Sequence, residues 1–132
     1  MSIARTIRVV AAVIEHGGRY LITQRRASAV LPLLWEFPGG RVEEGESDAV
    51  ALKREVRFRL GVEIQAGKLM SFVTHPYERY AVELYLYEAR LLDDGQPSAV
   101  NVGDFRWVKS DDFEAYAFTP ADEASMTKLL GL

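Results

Sequence analysis

The feature that most restricts the fold of this 132-residue chain is one helix-length segment set between strand-like segments. From Ser47 to Gly61, the residues Ala49, Leu52, Val56 and Leu60 recur at helical spacing and define a single apolar stripe. Ser47 can cap the segment, Asp48 favours its first turn, and Gly61 stops it. Glu55, Phe58 and Arg59 fall on a second face beside the stripe. Upstream, residues 6–14 (TIRVVAAVI) read as a strand buried on much of both faces. His16-Gly17-Gly18 supplies a turn, and Arg19 to Gln24 reads as the hairpin partner. Arg25 to Glu36 reads as a loop, and Pro38 with Gly39-Gly40 interrupts regular structure before the charged connection RVEEGE.

Downstream of Gly61, residues 62–74 read as one or two strands around Gly67. Ala81 to Ala89 (AVELYLYEA) carries the clearest alternation, with Val82, Leu84 and Leu86 on one face. Asp93 to Pro97 is a loop, Phe105 to Val108 a short strand, and Asp111 to Glu114 a single turn. Asp122 is expected to cap a last helix running to Leu130, with Met126, Leu129 and Leu130 turned inward. Strands on both sides of a central helix, with a second helix at the end, predict a mixed-sheet α/β sandwich forming one domain over residues 1–132.

Composition narrows the function. Sixteen Lys and Arg against nineteen Asp and Glu leave a net charge of −3, which disfavours general nucleic-acid binding. With no cysteine there is no disulfide framework, thiolate nucleophile or thiolate metal site. The apolar run near the N-terminus spans only about nine residues, too short to cross a bilayer. A soluble cytoplasmic protein is the expectation. His16 and His75 lack metal-pair spacing and read as surface or loop-packing residues, and no nucleophile-elbow or phosphate-loop motif is present.

The segment Gly40-x5-Glu46-x7-Arg54-Glu55-Val56-x4-Gly61-Val62 resembles the Nudix box, a loop-helix-loop motif, with its spacing kept over 23 residues. QRR after the second strand, WEFPGG before the helix and FTPAD before the last helix resemble the MutT-like branch, which handles nucleoside triphosphates. The resemblance implies a Nudix fold, an α/β/α sandwich of mixed sheets between helices. It also implies a pyrophosphohydrolase whose glutamates hold Mg²⁺ or Mn²⁺ against substrate phosphates. Here the box departs from the family pattern: Phe58 and Arg59 stand where adjacent glutamates are expected. Six residues before Trp107, where a further Glu often completes the site, the chain has Asn101. Of four carboxylates the family pattern supplies for metal and water, Glu55 alone keeps its position. These replacements change the local formal charge by 3 + 1 = +4, equal to two Mg²⁺.

The resemblance further assigns Glu46 to orient Arg54, and Glu55 to metal or catalysis if hydrolysis survives. Arg25 matches a residue reaching the phosphates or sugar, with Arg26 beside it; a solvent-facing pair is the plainer alternative. Gly39 and Gly40 either turn their amides toward phosphate or simply form a turn. Phe37 resembles a base-contacting position, although it and Trp35 could equally be packing residues. Asp122 sits where the family reads a base edge, where a carboxylate can accept from an amine such as cytosine N4; capping the helix is the alternative. Glu78 and Arg79 lie in a hairpin loop expected to border the base pocket. Arg59, four residues after Glu55, can pair with it or grip a phosphate. Phe58 is expected to fill the space of the lost metal site.

Three functions compete. The first is a nucleotide- or phosphate-ligand-binding protein related to MutT-like pyrophosphohydrolases, with hydrolysis impaired or lost. The second is an active Mg²⁺-dependent enzyme that builds an atypical site from Glu55, Glu46 and Asp48 or Glu43. The third is a non-catalytic interaction module. In this third reading residues 29–35 (AVLPLLW) offer an apolar partner surface; the stretch is compatible with a homodimer contact and equally with buried loop packing.

Overall fold

The computed structural model describes residues 5–130. In chain order the strands are β1 (Arg5–His16), β2 (Arg19–Gln24), β3 (Trp35–Glu36), β4 (Gly39–Arg41), β5 (Ile64–Pro76), β6 (Tyr80–Leu91) and β7 (Asp104–Val108). Helix α1 is Asp48–Leu60, helix α2 is Pro120–Leu130, and a 3-10 turn covers Ser110–Ala115. The main path of the sheet runs β3-β2-β1-β6-β5, with β4 added to β1 and β7 to β2. The β1–β6 pair is parallel and every other strand pair is antiparallel. The expected mixed α/β/α sandwich is therefore the architecture observed.

Strand β1 is buried continuously from Val10 to Ile14 because its two faces serve different cores. Val10, Ala12 and Ile14 join the α1 side with Leu52, Val56 and Leu60. Ala11 and Val13 join the α2 side with Phe37, Leu84, Leu86 and Ala121. At its other end β1 turns through Gly17-Gly18 into β2, as the hairpin reading anticipates. Strand β5 is single, and its register against β6 shifts twice between Ala66 and Ser71. Gly67, the residue that left one or two strands open, lies in that irregular stretch.

Helix α1 starts and stops as its sequence specifies. Ser47 accepts a hydrogen bond from the Val50 amide, and Gly61 closes the helix in a left-handed conformation (φ 68°). Its first turn is clamped to the sheet: Arg8 on β1 donates twice to Asp48, at 2.9 and 2.8 Å. The Tyr87 hydroxyl on β6 donates to the same carboxylate. Arg8 also holds Asp48 below the usual carboxylate range. The expected stripe needs one correction. Ala49 is exposed while Ala51 is buried, so the covered arc is rotated toward Glu55 and Arg59 and brings both half inside.

Three further expectations are overturned. The stretch read as a loop from Arg25 to Glu36 ends in strand β3, and Gly39–Arg41 forms β4 rather than interrupting regular structure. Neither strand is legible locally, because long-range pairing makes them. Trp35 pairs with β2 on one side and exchanges backbone hydrogen bonds with Ala117 and Thr119 on the other. Gly39 lies so close to β1 that a Cβ there would stand 1.9 Å from the Val10 carbonyl oxygen. Finally, α2 begins at Pro120, so Asp122 sits inside its first turn and does not cap it. Met126 packs on the second core, whereas the expectation for the Leu129 and Leu130 side chains lies outside the described residues, as do residues 1–4.

Leu52 is fully buried in the core that seats α1. Leu52→Ala is expected to cost about 2–5 kcal/mol, read as a lowered urea midpoint at unchanged slope.

Candidate functional site

A cavity of about 860 Å³ opens between α1, the β1–β6 floor and the start of α2. Its floor is apolar, formed by Ile7 and Val9 on β1 with Val82 and Leu84 on β6. At one end stand Phe37, Thr119 and Asp122; at the other, Gly40, Glu55 and Arg59. Arg25, Gly39 and Arg79 also line it, so the structure brings together most of the residues singled out in the sequence. Glu78 is exposed and does not line the cavity.

The charged side chains form one chain of alternating sign. Arg25 donates to Glu36 at 3.2 Å, and Arg59 approaches the same carboxylate at 4.0 Å. From its Nε, Arg59 donates to Glu55 Oε2 at 3.0 Å, while Arg54 donates to Glu55 Oε1 at 2.7 Å. Arg54 grips Glu46 through two bonds, at 2.7 and 2.8 Å, and donates to the Arg41 carbonyl at 2.9 Å. This doubly bound guanidinium, with the Glu43 amide, pulls the Glu46 carboxyl down to about 2. Glu46 and Arg54 thus tie the loop before α1 to the helix and to β4.

Glu55 rests against the backbone of Gly40. A Cβ on that glycine would lie 2.4 Å from the Glu55 carboxyl carbon, so the absence of a side chain lets the carboxylate enter the cleft. Both of its oxygens are already taken by guanidinium groups. A divalent cation needs several oxygen ligands, and here the position beside Glu55 is filled by the Arg59 cation. Among the described residues no group of three or more His, Cys, Asp or Glu side chains gathers to hold a metal. The residues present do not fit a divalent metal centre.

Phe58 and Asn101 correct the sequence expectation. Phe58 does not fill the cleft: its side chain is 57% exposed and turned to the outer side of α1. Asn101 lies on that outer side too, where its Nδ2 donates to the Phe58 carbonyl at 2.8 Å. Of the three replaced carboxylate positions, only Arg59 lines the cavity.

At the opposite end, Asp122 is 6% exposed and accepts from the Phe37 amide at 2.9 Å and from the Thr119 hydroxyl at 2.7 Å. Burial, and then the negative charge of Glu36, push its carboxyl up to about 7. Burial likewise raises Glu36, against the pull of Arg25 and Arg59. Glu36 is the site residue that sequence reasoning missed. Its one available signal was an acidic residue set between Trp35 and Phe37, outside any solvated run of charge. Arg25 also donates from Nε to the Val30 carbonyl at 2.6 Å, holding a loop in which Leu31 and Leu33 adopt positive φ of 55° and 64°. Val30 and Leu33 of that loop are exposed.

Because the folded state raises Asp122, it binds that proton more tightly than the unfolded chain does. Stability from this residue is full below the ordinary carboxylate range and lost as pH rises toward 7. Asp122→Asn is therefore expected to flatten the fall in unfolding temperature between pH 5 and 8, with the variant gaining on the parent at pH 8, as read by calorimetry.

Comparison with known proteins agrees with this fold. The model of the NUDIX domain matches residues 9–128. CTP pyrophosphohydrolase of Escherichia coli is 35% identical over 119 residues, covering 89% of this chain and 87% of that protein. An 8-oxo-dGTP diphosphatase of Haemophilus influenzae is 28% identical over 129 residues, 96% of this chain and 93% of that protein. Among solved structures, the E. coli ORF135 protein superposes with a TM-score of 0.81 at 32% identity, covering 98% of this chain and 91% of that one. MutT NUDIX hydrolase from Burkholderia pseudomallei gives 0.83 at 24% identity over 95% of this chain and 98% of that one, a likeness of fold. With the box spacing, the sandwich and the cleft in agreement, the chain belongs to the NUDIX domain family, related to MutT-like nucleoside triphosphate pyrophosphohydrolases and carrying a degenerate box.

Proposed function

We propose that this protein binds a nucleotide, or a small molecule bearing the same phosphate and base chemistry, and that metal-assisted hydrolysis is impaired or lost. The observation that carries the reading is Arg59, whose guanidinium bridges Glu55 at 3.0 Å and Glu36 at 4.0 Å inside the cleft. In a NUDIX hydrolase, bound cations offset charge that develops on the phosphoryl group. A fixed guanidinium supplies positive charge and hydrogen-bond donors to phosphate, but it activates no water. Arg25 provides a second cation, and Gly39 and Gly40 leave the backbone open to close approach.

Cytosine nucleotides are the first class to test. Buried carboxyl groups at Asp122 and Glu36 suit a base edge that presents an amino group, and the E. coli relative is a CTP pyrophosphohydrolase. Phe37 is packed in the core against Phe113 and Phe118 and contributes its backbone amide to Asp122, while the exposed Arg79 also lines the cavity. In this reading Glu46 and Arg54 are positioning residues that hold the loop and Glu55 in place.

The test is calorimetric titration with CTP, CDP, CMP and purine counterparts in EDTA and again in excess Mg²⁺ or Mn²⁺, with product analysis alongside. Binding in EDTA is expected, changed by less than about twofold on adding metal, and no monophosphate plus pyrophosphate should form. Arg59→Ala is expected to weaken binding by about tenfold or more, the loss typical of a charge-assisted contact. Metal-dependent release of pyrophosphate at an enzymic rate, or no affinity under either condition, would overturn the reading.

A further inference from the structure

The outer side of α1 presents an apolar dish of about 610 Å³, separate from the cleft. Val50, Phe58 and Val100 line it and are 56%, 57% and 56% exposed. These are three of the six large apolar side chains found exposed among the described residues, and they converge on one concavity. Such clustering is uncommon on a surface with no partner, whereas single exposed apolar residues are ordinary.

Hydrogen bonds join the two parts of the dish. Val50 and Phe58 project from the same helix. Val100 belongs to a segment that closes the end of that helix: its amide donates to the Arg59 carbonyl at 3.1 Å, and the Ser98 amide donates to Leu60 at 3.0 Å. The Asn101 side chain adds its bond to the Phe58 carbonyl. A surface already ordered loses little conformational freedom when a partner docks.

Charge selects the partner. The rim carries Lys53 and Arg57, 59% and 72% exposed at the side chain, while Arg54 behind them is neutralised by Glu46 and Glu55. Lys53 and Arg57 share one acidic neighbour, Glu63, at 3.8 and 3.2 Å, which leaves the rim with one unit of excess positive charge. Two copies meeting through this face would bring basic rim against basic rim, which opposes self-association. Concavity suits an inserted side chain better than a membrane plane.

We infer that the dish formed by Val50, Phe58 and Val100 docks an acidic polypeptide segment of another protein, which inserts a large apolar side chain between them. The proposal does not depend on the nucleotide reading, because Phe58 and Val100 lie outside the cleft.

The probe is a short synthetic peptide with Leu-Phe between runs of glutamate, titrated by fluorescence anisotropy and mapped by amide chemical shifts. Controls replace Leu-Phe by Ala-Ala, or every glutamate by lysine. Saturable binding is expected, with shifts centred on Val50, Phe58 and Val100. Affinity should fall about tenfold or more for either control peptide, for Phe58→Ser with Val100→Ser, and for Lys53→Glu with Arg57→Glu. The serine pair should retain the parent's unfolding temperature within a few degrees, since both side chains are exposed. Equal binding of the lysine peptide, shifts centred elsewhere, self-association lost in the serine pair, or lost capture by anionic phosphatidylserine vesicles in that pair would each overturn the proposal.

Discussion

Glu55 lies against the bare backbone of Gly40 with a guanidinium on each of its oxygens, and the character of the cleft follows from that arrangement. For the carboxylate to sit there, β4 must lie tight on β1, which the lack of a side chain at Gly39 permits. Helix α1 must also be held at a fixed rotation, which its apolar residues and the Arg8–Asp48–Tyr87 clamp provide. Neutralisation then comes from within the protein. Arg54 faces Glu46 on the loop side, Arg59 faces Glu36 on the pocket side, and each oxygen of Glu55 already meets a guanidinium. A buried carboxylate without such partners would be costly, so the two arginines stabilise the local fold as well as setting its charge.

The two ends of the cleft are electrostatically linked through Glu36. Its carboxylate meets Arg25 and Arg59 on one side, and its charge raises Asp122 on the other.

Much of the fold was legible in the chain. The hairpin at Gly17-Gly18, the capped helix ending at Gly61 and the alternating strand around Leu84 follow local rules of turn chemistry and periodicity, and the structure agrees with them. Strands β3 and β4 escaped because neither contains enough residues to carry a pattern; they exist through pairing with β1, β2 and the 117–119 segment. Asp122 was misassigned as a cap because a preceding Pro and Thr also start helices, and only the docking of Thr119 onto Trp35 fixes where α2 begins.

By itself, then, the sequence determined the sandwich class, the box spacing and the identities of Phe58, Arg59 and Asn101, which the family resemblance marks as lost carboxylates. Those are properties of residue identity and separation along the chain. Tertiary structure alone decided which of the three losses bears on the cleft. A small rotation of α1 turns Arg59 inward and leaves Phe58 outside, because the apolar arc the sheet covers is offset by the burial of Ala51 in place of Ala49. Periodicity defines the faces of a helix, but the surface it packs against sets which face is covered.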